Sequence, residues 1–84
     1  MDKKEQIKKI KELISTGKIV KVVKDNSFDN IVVWLSNDDK YIMWRSFGQS
    51  AVKNNLKDLT RLINHILKAN RVNISYQVVK SIYA

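Results

Sequence analysis

Few residues of this chain have the means to do chemistry. There is one histidine, His65, and no cysteine. A catalytic nucleophile needs a base beside it, and a zinc site needs several nitrogen or sulfur ligands, so neither can be assembled around His65. Asp38 and Asp39 are adjacent carboxylates, but they sit between two apolar runs in Asn37-Asp38-Asp39-Lys40. That is turn chemistry, without the loop spacing of a calcium site. The two glycines, Gly17 and Gly48, stand far apart and build no phosphate loop. The expectation is a protein that is not an enzyme and holds no cofactor or metal.

What remains is cations and aromatics. The net charge is +8 over 84 residues, and it is unevenly spread. Residues 1–24 carry eight lysines and three acids, for +5; residues 25–40 sum to −3; residues 41–84 carry seven Lys or Arg against Asp58, for +6. A basic surface of this kind favours polyanions, while a solubility role for the same charge needs no partner. Lys3, Lys4, Lys8 and Lys11 fall on a first helix. Lys53, Lys57 and Arg61 fall on a second predicted helix. Trp34, Tyr41 and Arg45 fall on strands between them. Lysines of this kind neutralise phosphates, and aromatics beside arginine stack bases or anchor a protein partner.

The elements that position these residues follow from periodicity. Asp2 and Glu5 have capping-box spacing. Ile7, Ile10, Leu13 and Ile14 form a helical stripe, which Thr16-Gly17 ends. Lys18 to Lys24, Asn30 to Ser36 and Tyr41 to Phe47 read as three strands joined by short turns, hence antiparallel. Ser50 caps a predicted long helix from Ala51 to about Ala69, striped by Val52, Leu56, Leu59, Ile63, Ile66 and Leu67. The tail, Arg71 to Tyr83, reads as a short helix opening at Ser75, or as an edge strand through the alternation of Val72, Ile74, Tyr76 and Val78.

The predicted fold class is therefore α+β. Residues 1–84 make a single small domain with an α-β-β-β-α core. A three-stranded antiparallel sheet packs against the helices, with a short C-terminal helix or edge strand added. A two-residue loop at Asp38-Asp39 sets Leu35 opposite Ile42, Val33 opposite Trp44 and Ile31 opposite Ser46. Val32, Trp34, Tyr41, Met43 and Arg45 then share the other face. A three-residue loop would regroup them, with Ile42 and Trp44 joining Trp34. In either register one helical layer leaves a tryptophan-bearing face to be covered by the tail, by a second copy in a homodimer, or by a partner.

The longest apolar run, Ile31 to Leu35, is too short to span a membrane, and the first fifteen residues lack the apolar stretch of a secretory signal. A cytoplasmic protein with no membrane partner is expected. The order helix, three strands, helix resembles the double-stranded-RNA-binding domain over residues 2–69, in topology rather than motif. That resemblance implies phosphate contact by Ser50, Lys53 and Lys57 at the start of the second helix. The sequence departs from it in the acids of the Asp25 to Asn30 loop and in lacking adjacent lysines at that helix start. Leu62 to Tyr83 resembles a helix-turn-helix unit with Ser75, Tyr76 and Gln77 opening the reading helix. In size and economy the chain is also similar to the inhibitors of phages and mobile elements, which bind and block a host protein complex. Two functional expectations result: a basic module that binds RNA, DNA or a nucleoprotein through helix lysines, and an inhibitor whose anchors are the same aromatics.

Overall fold

The computed structural model describes residues 3–24, 30–46, 48–68 and 74–83. The chain is α+β, with two helices and a five-stranded antiparallel sheet. The elements are α1 (Lys3–Ser15), β1 (Ile19–Lys24), β2 (Ile31–Leu35), β3 (Tyr41–Ser46), β4 (Val52–Asn55), a 3-10 turn (Leu56–Asp58), α2 (Leu59–Lys68) and β5 (Ile74–Val79). The strand order is β4-β3-β2-β1-β5. Four strands thus form a meander, and β5 returns to the far edge beside β1. Among the described residues no helix is long and apolar enough to cross a membrane.

The helical stripe of α1 does what its spacing requires. Ile10 and Ile14 are completely buried, and Ile7 and Leu13 pack beside them. The helix ends in a Schellman arrangement. The N–H of Gly17 donates to the carbonyl of Ile14 at 3.0 Å, and that of Lys18 to the carbonyl of Leu13 at 3.0 Å. Gly17 has φ +85°, the left-handed conformation that closes this motif without a Cβ penalty. The proposed Asp2 cap lies outside the described residues.

β1, β2 and β3 are rich in β-branched and aromatic residues, which suit a pleated, half-buried surface. Leu35 pairs with Ile42, Val33 with Trp44 and Ile31 with Ser46, the register that Asp38-Asp39 predicts. The turn is held locally. Ser36 Oγ donates to Asp38 Oδ1 at 2.6 Å, and the Lys40 N–H donates to the same oxygen at 3.1 Å. Asp39 takes φ +58°, which Asp tolerates better than most residues.

Both helices lie on one side of the sheet, as the short connections imply. The core joins Ile10 and Ile14 of α1 to Val20, Val22, Ile31, Val33 and Ile42 of the sheet and to Leu59 and Ile63 of α2. Leu62, which the predicted stripe omits, also packs against it.

One element differs from the sequence expectation, and one alternative left open there is decided. The long helix does not begin at Ala51. Val52–Asn55 is a strand on the outer edge of β3, with Trp44 opposite Val52 and Ile42 opposite Asn54. Asn54 and Asn55 are poor helix formers, and β3 offers an open row of backbone partners. Trp44 adds a side-chain reason: its indole N–H donates to Asn54 Oδ1 at 2.8 Å. Val52 and Leu56 fit the helical stripe by spacing alone. They are 41% and 38% exposed, whereas Leu59 and Ile63 are buried. The Ser50 cap is replaced by Asn55 ahead of the 3-10 turn, with no side-chain cap bond.

Of the two alternatives for the tail, the edge strand is the one formed. β5 is a strand, and the C-terminal helix is not formed. Every residue from Ile74 to Val79 pairs with β1, including Tyr76 with Val22 and Val78 with Val20. β1 has a second edge to satisfy, and the period-two alternation of Tyr76 and Val78 meets it. The three-stranded sheet of the sequence reading is thereby extended at both edges. The connecting residues 69–73, and the loop of residues 25–29 with Phe28, lie outside the described residues.

Candidate functional site

The strand register sorts the side chains onto two faces. Opposite the helices, the sheet shows rows of directly paired residues. One row runs Gln77, Lys21, Val32, Arg45 across β5, β1, β2 and β3. The next runs Trp34, Met43, Lys53 across β2, β3 and β4. A third pairs Tyr41 with Asn55. Trp34 and Tyr41 are therefore diagonal neighbours on adjacent strands, within reach of large side chains. Both are half-buried.

The cations on this face are Lys21, Arg45 and Lys53. Lys53 Nζ stands 3.8 Å from the centroid of the Tyr41 ring. An ammonium over an aromatic face is attracted by its quadrupole, here at an exposed lysine. Among the described strand residues of this face there is no carboxylate.

Arg45 is engaged by the tail. Its Nη1 donates to the carbonyl of Ile82 at 2.8 Å, its Nε donates to the carbonyl of Gln49 at 3.3 Å, and its guanidinium lies 5.0 Å from the centroid of Tyr83. Three strand spacings, about 14 Å, separate β5 from β3. Residues 80–83 therefore leave the sheet edge and run over the open face, while the long Arg45 side chain reaches back to meet them. This accounts for Val32. It points away from the helices yet is only 3% exposed. It lies between Lys21 and Arg45, the residue that the tail meets. Tyr83 itself is 76% exposed, and a cleft of about 430 Å³ separates the tail from the β3–β4 turn.

Of the three covers the sequence allowed for this face, the chain's own tail supplies one, around Arg45. On the same face Trp34, Tyr41 and Met43 are half-buried and Lys53 is exposed.

The remaining predicted residues do not join them. Lys3, Lys4, Lys8 and Lys11 belong to α1, on the other side of the sheet. Lys57 is exposed in the 3-10 turn. Arg61 is on α2, where its Nη2 pairs with Asp58 Oδ1 at 2.9 Å. The basic cluster of Ser50, Lys53 and Lys57 at a helix start is not formed, because Lys53 is a strand residue facing away from α2. The reading helix beginning at Ser75 is likewise absent, since Ser75 and Gln77 are strand residues. Sequence reasoning missed Lys21 and Tyr83 as members of the open face. Lys21 was legible in the alternation of Ile19, Lys21 and Val23; Tyr83 had no signal, because its position depends on the path of the tail.

His65 is exposed on α2 beside a small cleft shared with Asn54, Asp58, Arg61 and Leu62. Among the described residues no three His, Cys, Asp or Glu side chains come together as metal ligands. Asp38 is held below its ordinary carboxylate pKa, first by the Ser36 hydroxyl and then by the Lys40 N–H. Both interactions belong to the turn.

No protein-family model, no curated protein and no solved structure matches the chain.

Proposed function

We propose that the chain is a non-enzymatic cytoplasmic module that binds single-stranded nucleic acid on the open face of its sheet. One observation carries this reading. Trp34 and Tyr41 lie diagonally on adjacent strands of the face that no helix covers, with Lys53 beside them and Lys21 and Arg45 one row away. Aromatic rings on a sheet offer flat surfaces for bases, and flanking cations meet the backbone phosphates. A duplex keeps its bases stacked inside, so a platform of this kind acts on unpaired strands.

This reading moves the binding residues from the helices to the sheet. Trp34 and Tyr41 stack bases. Lys53 and Lys21 neutralise phosphates, and Arg45 with Tyr83 borders the site. Lys8 and Lys11 of α1 add only to the general positive field, which steers a polyanion from a distance.

The test is titration with a single-stranded oligonucleotide at low salt, followed by Trp34 fluorescence in a Trp44→Phe background. Quenching should saturate, and affinity should fall linearly on a logarithmic salt scale. Trp34→Ala should weaken binding by roughly 5- to 150-fold, the equivalent of about 1–3 kcal/mol per stacked base. Lys8→Gln with Lys11→Gln should change affinity far less. Absence of binding at low salt defeats the proposal. Preference for duplex, with dependence on Lys8 and Lys11 instead of Trp34, returns the site to the helices.

A further inference from the structure

The two outer strands of the sheet are guarded differently. β4 is four residues long and carries Lys53. β5 has six residues, Ile-Ser-Tyr-Gln-Val-Val, with no charge, proline or glycine. Its outer side has no partner strand among the described residues. An edge of this kind presents a row of N–H and C=O groups to any strand of matching length, and proteins usually block such rows with lysine, proline or a bulge. Here none of these devices is used.

Charge limits where a second copy could approach. The chain carries +8, and α1 alone holds five lysines. Two copies approaching by their helices bring like charges together. Two copies approaching by β5 bring two neutral strands together. We infer that β5 pairs antiparallel with β5 of a second copy across a two-fold axis. The inference is independent of what the open face binds.

The register is constrained. Directly opposed residues of an antiparallel pair share a face, so a strand pairing with itself must centre on a residue. Centred on Gln77, the pairing sets Tyr76 of one copy against Val78 of the other, and Ser75 against Val79. Val78 is 51% exposed and Tyr76 half-buried, both on the helix side. This register covers Val78 with an aromatic ring, a favourable cross-strand combination. The result is one continuous sheet of twice five strands, with all helices on one side and both open faces on the other. A two-fold contact of this type is closed, so it yields a dimer and not a fibre. A six-residue edge buries a small area, so the dimer should depend on concentration.

The chain lacks cysteine, so a single introduced one reports without background. At the axis the two Gln77 Cβ atoms would lie about 5 Å apart, close enough for a disulfide with slight adjustment. Under mild oxidation Gln77→Cys should cross-link rapidly, whereas Lys8→Cys on exposed α1 should not. Light scattering on the unmodified chain should show mass rising from monomer towards dimer between low-micromolar and sub-millimolar concentration. Val78→Lys replaces an exposed side chain and should hold the chain monomeric with its circular dichroism unchanged. Monomer mass at every concentration overturns the inference. So does cross-linking of Gln77→Cys no faster than that of Lys8→Cys, whatever Val78→Lys does to folding.

Discussion

Ile42 and Met43 are consecutive residues of β3 with opposite fates. Ile42 is completely buried under the helices, and Met43 lies half-exposed between Trp34 and Lys53. The two faces of this sheet are built from similar residue types, since valine, isoleucine and tryptophan occur on both. What separates them is the cover. Two striped helices pack on one face, while on the other a few tail residues meet one arginine. Composition alone therefore does not tell core from surface here; the connectivity that places both helices on one side does.

The sharpest way to break this comparison is to truncate the two neighbours. Ile42→Ala should cost about 3 kcal/mol, from lost burial and the cavity left behind. Met43→Ala should cost about 1 kcal/mol or less. Each kcal/mol moves the melting temperature by about 4–8 °C in a domain of this size, so thermal unfolding resolves the difference. Equal losses would mean that the open face is a second core.

A finer test addresses the tail. Val32→Ala should cost about 2 kcal/mol if the tail seals it. Removing residues 80–84 exposes Val32 and should shrink that cost to about half, a coupling that a double-mutant cycle in urea measures directly. Additive losses would separate Val32 from the tail.

The smallest effect lies at the turn between the faces. Asp38 has its pKa lowered in the folded chain by Ser36 and Lys40. A lowered folded pKa contributes stability at pH values above the unfolded pKa. That contribution is lost as pH falls through the folded one. Asp38→Asn should therefore be slightly less stable than the parent at neutral pH. The gap should close on the acid side of about pH 4, the ordinary range of an aspartate. A gap that persists unchanged in acid would assign the effect to turn geometry.

Much of this was legible in the sequence. The α1 stripe, the Gly17 stop, the hairpin register and the sorting of Val32, Trp34, Tyr41, Met43 and Arg45 onto one face all follow from local periodicity and turn chemistry. One error and one unresolved alternative came where two periods coincide. Val52 and Leu56 are four apart and extend a real stripe backwards, so the strand at Val52–Asn55 was hidden inside a helical pattern. Tyr76 and Val79 fit a helix as well as Tyr76 and Val78 fit a strand. The available edge of β1, a partner distant in sequence, decides between them. Tyr83 over Arg45 was not legible, because it depends on where β5 ends relative to β3.

The position of β5 also sets an order in time. β1 to β4 are neighbours in sequence as well as in space, so their hairpins can close as they leave the ribosome. β5 pairs with β1 across the chain, Val79 opposite Ile19 at a separation of 60 residues (79 − 19). Until β5 docks, β1 has one edge bare and Arg45 lacks its bond to Ile82. One segment, residues 74–83, thus both completes the sheet and supplies the partner of Arg45.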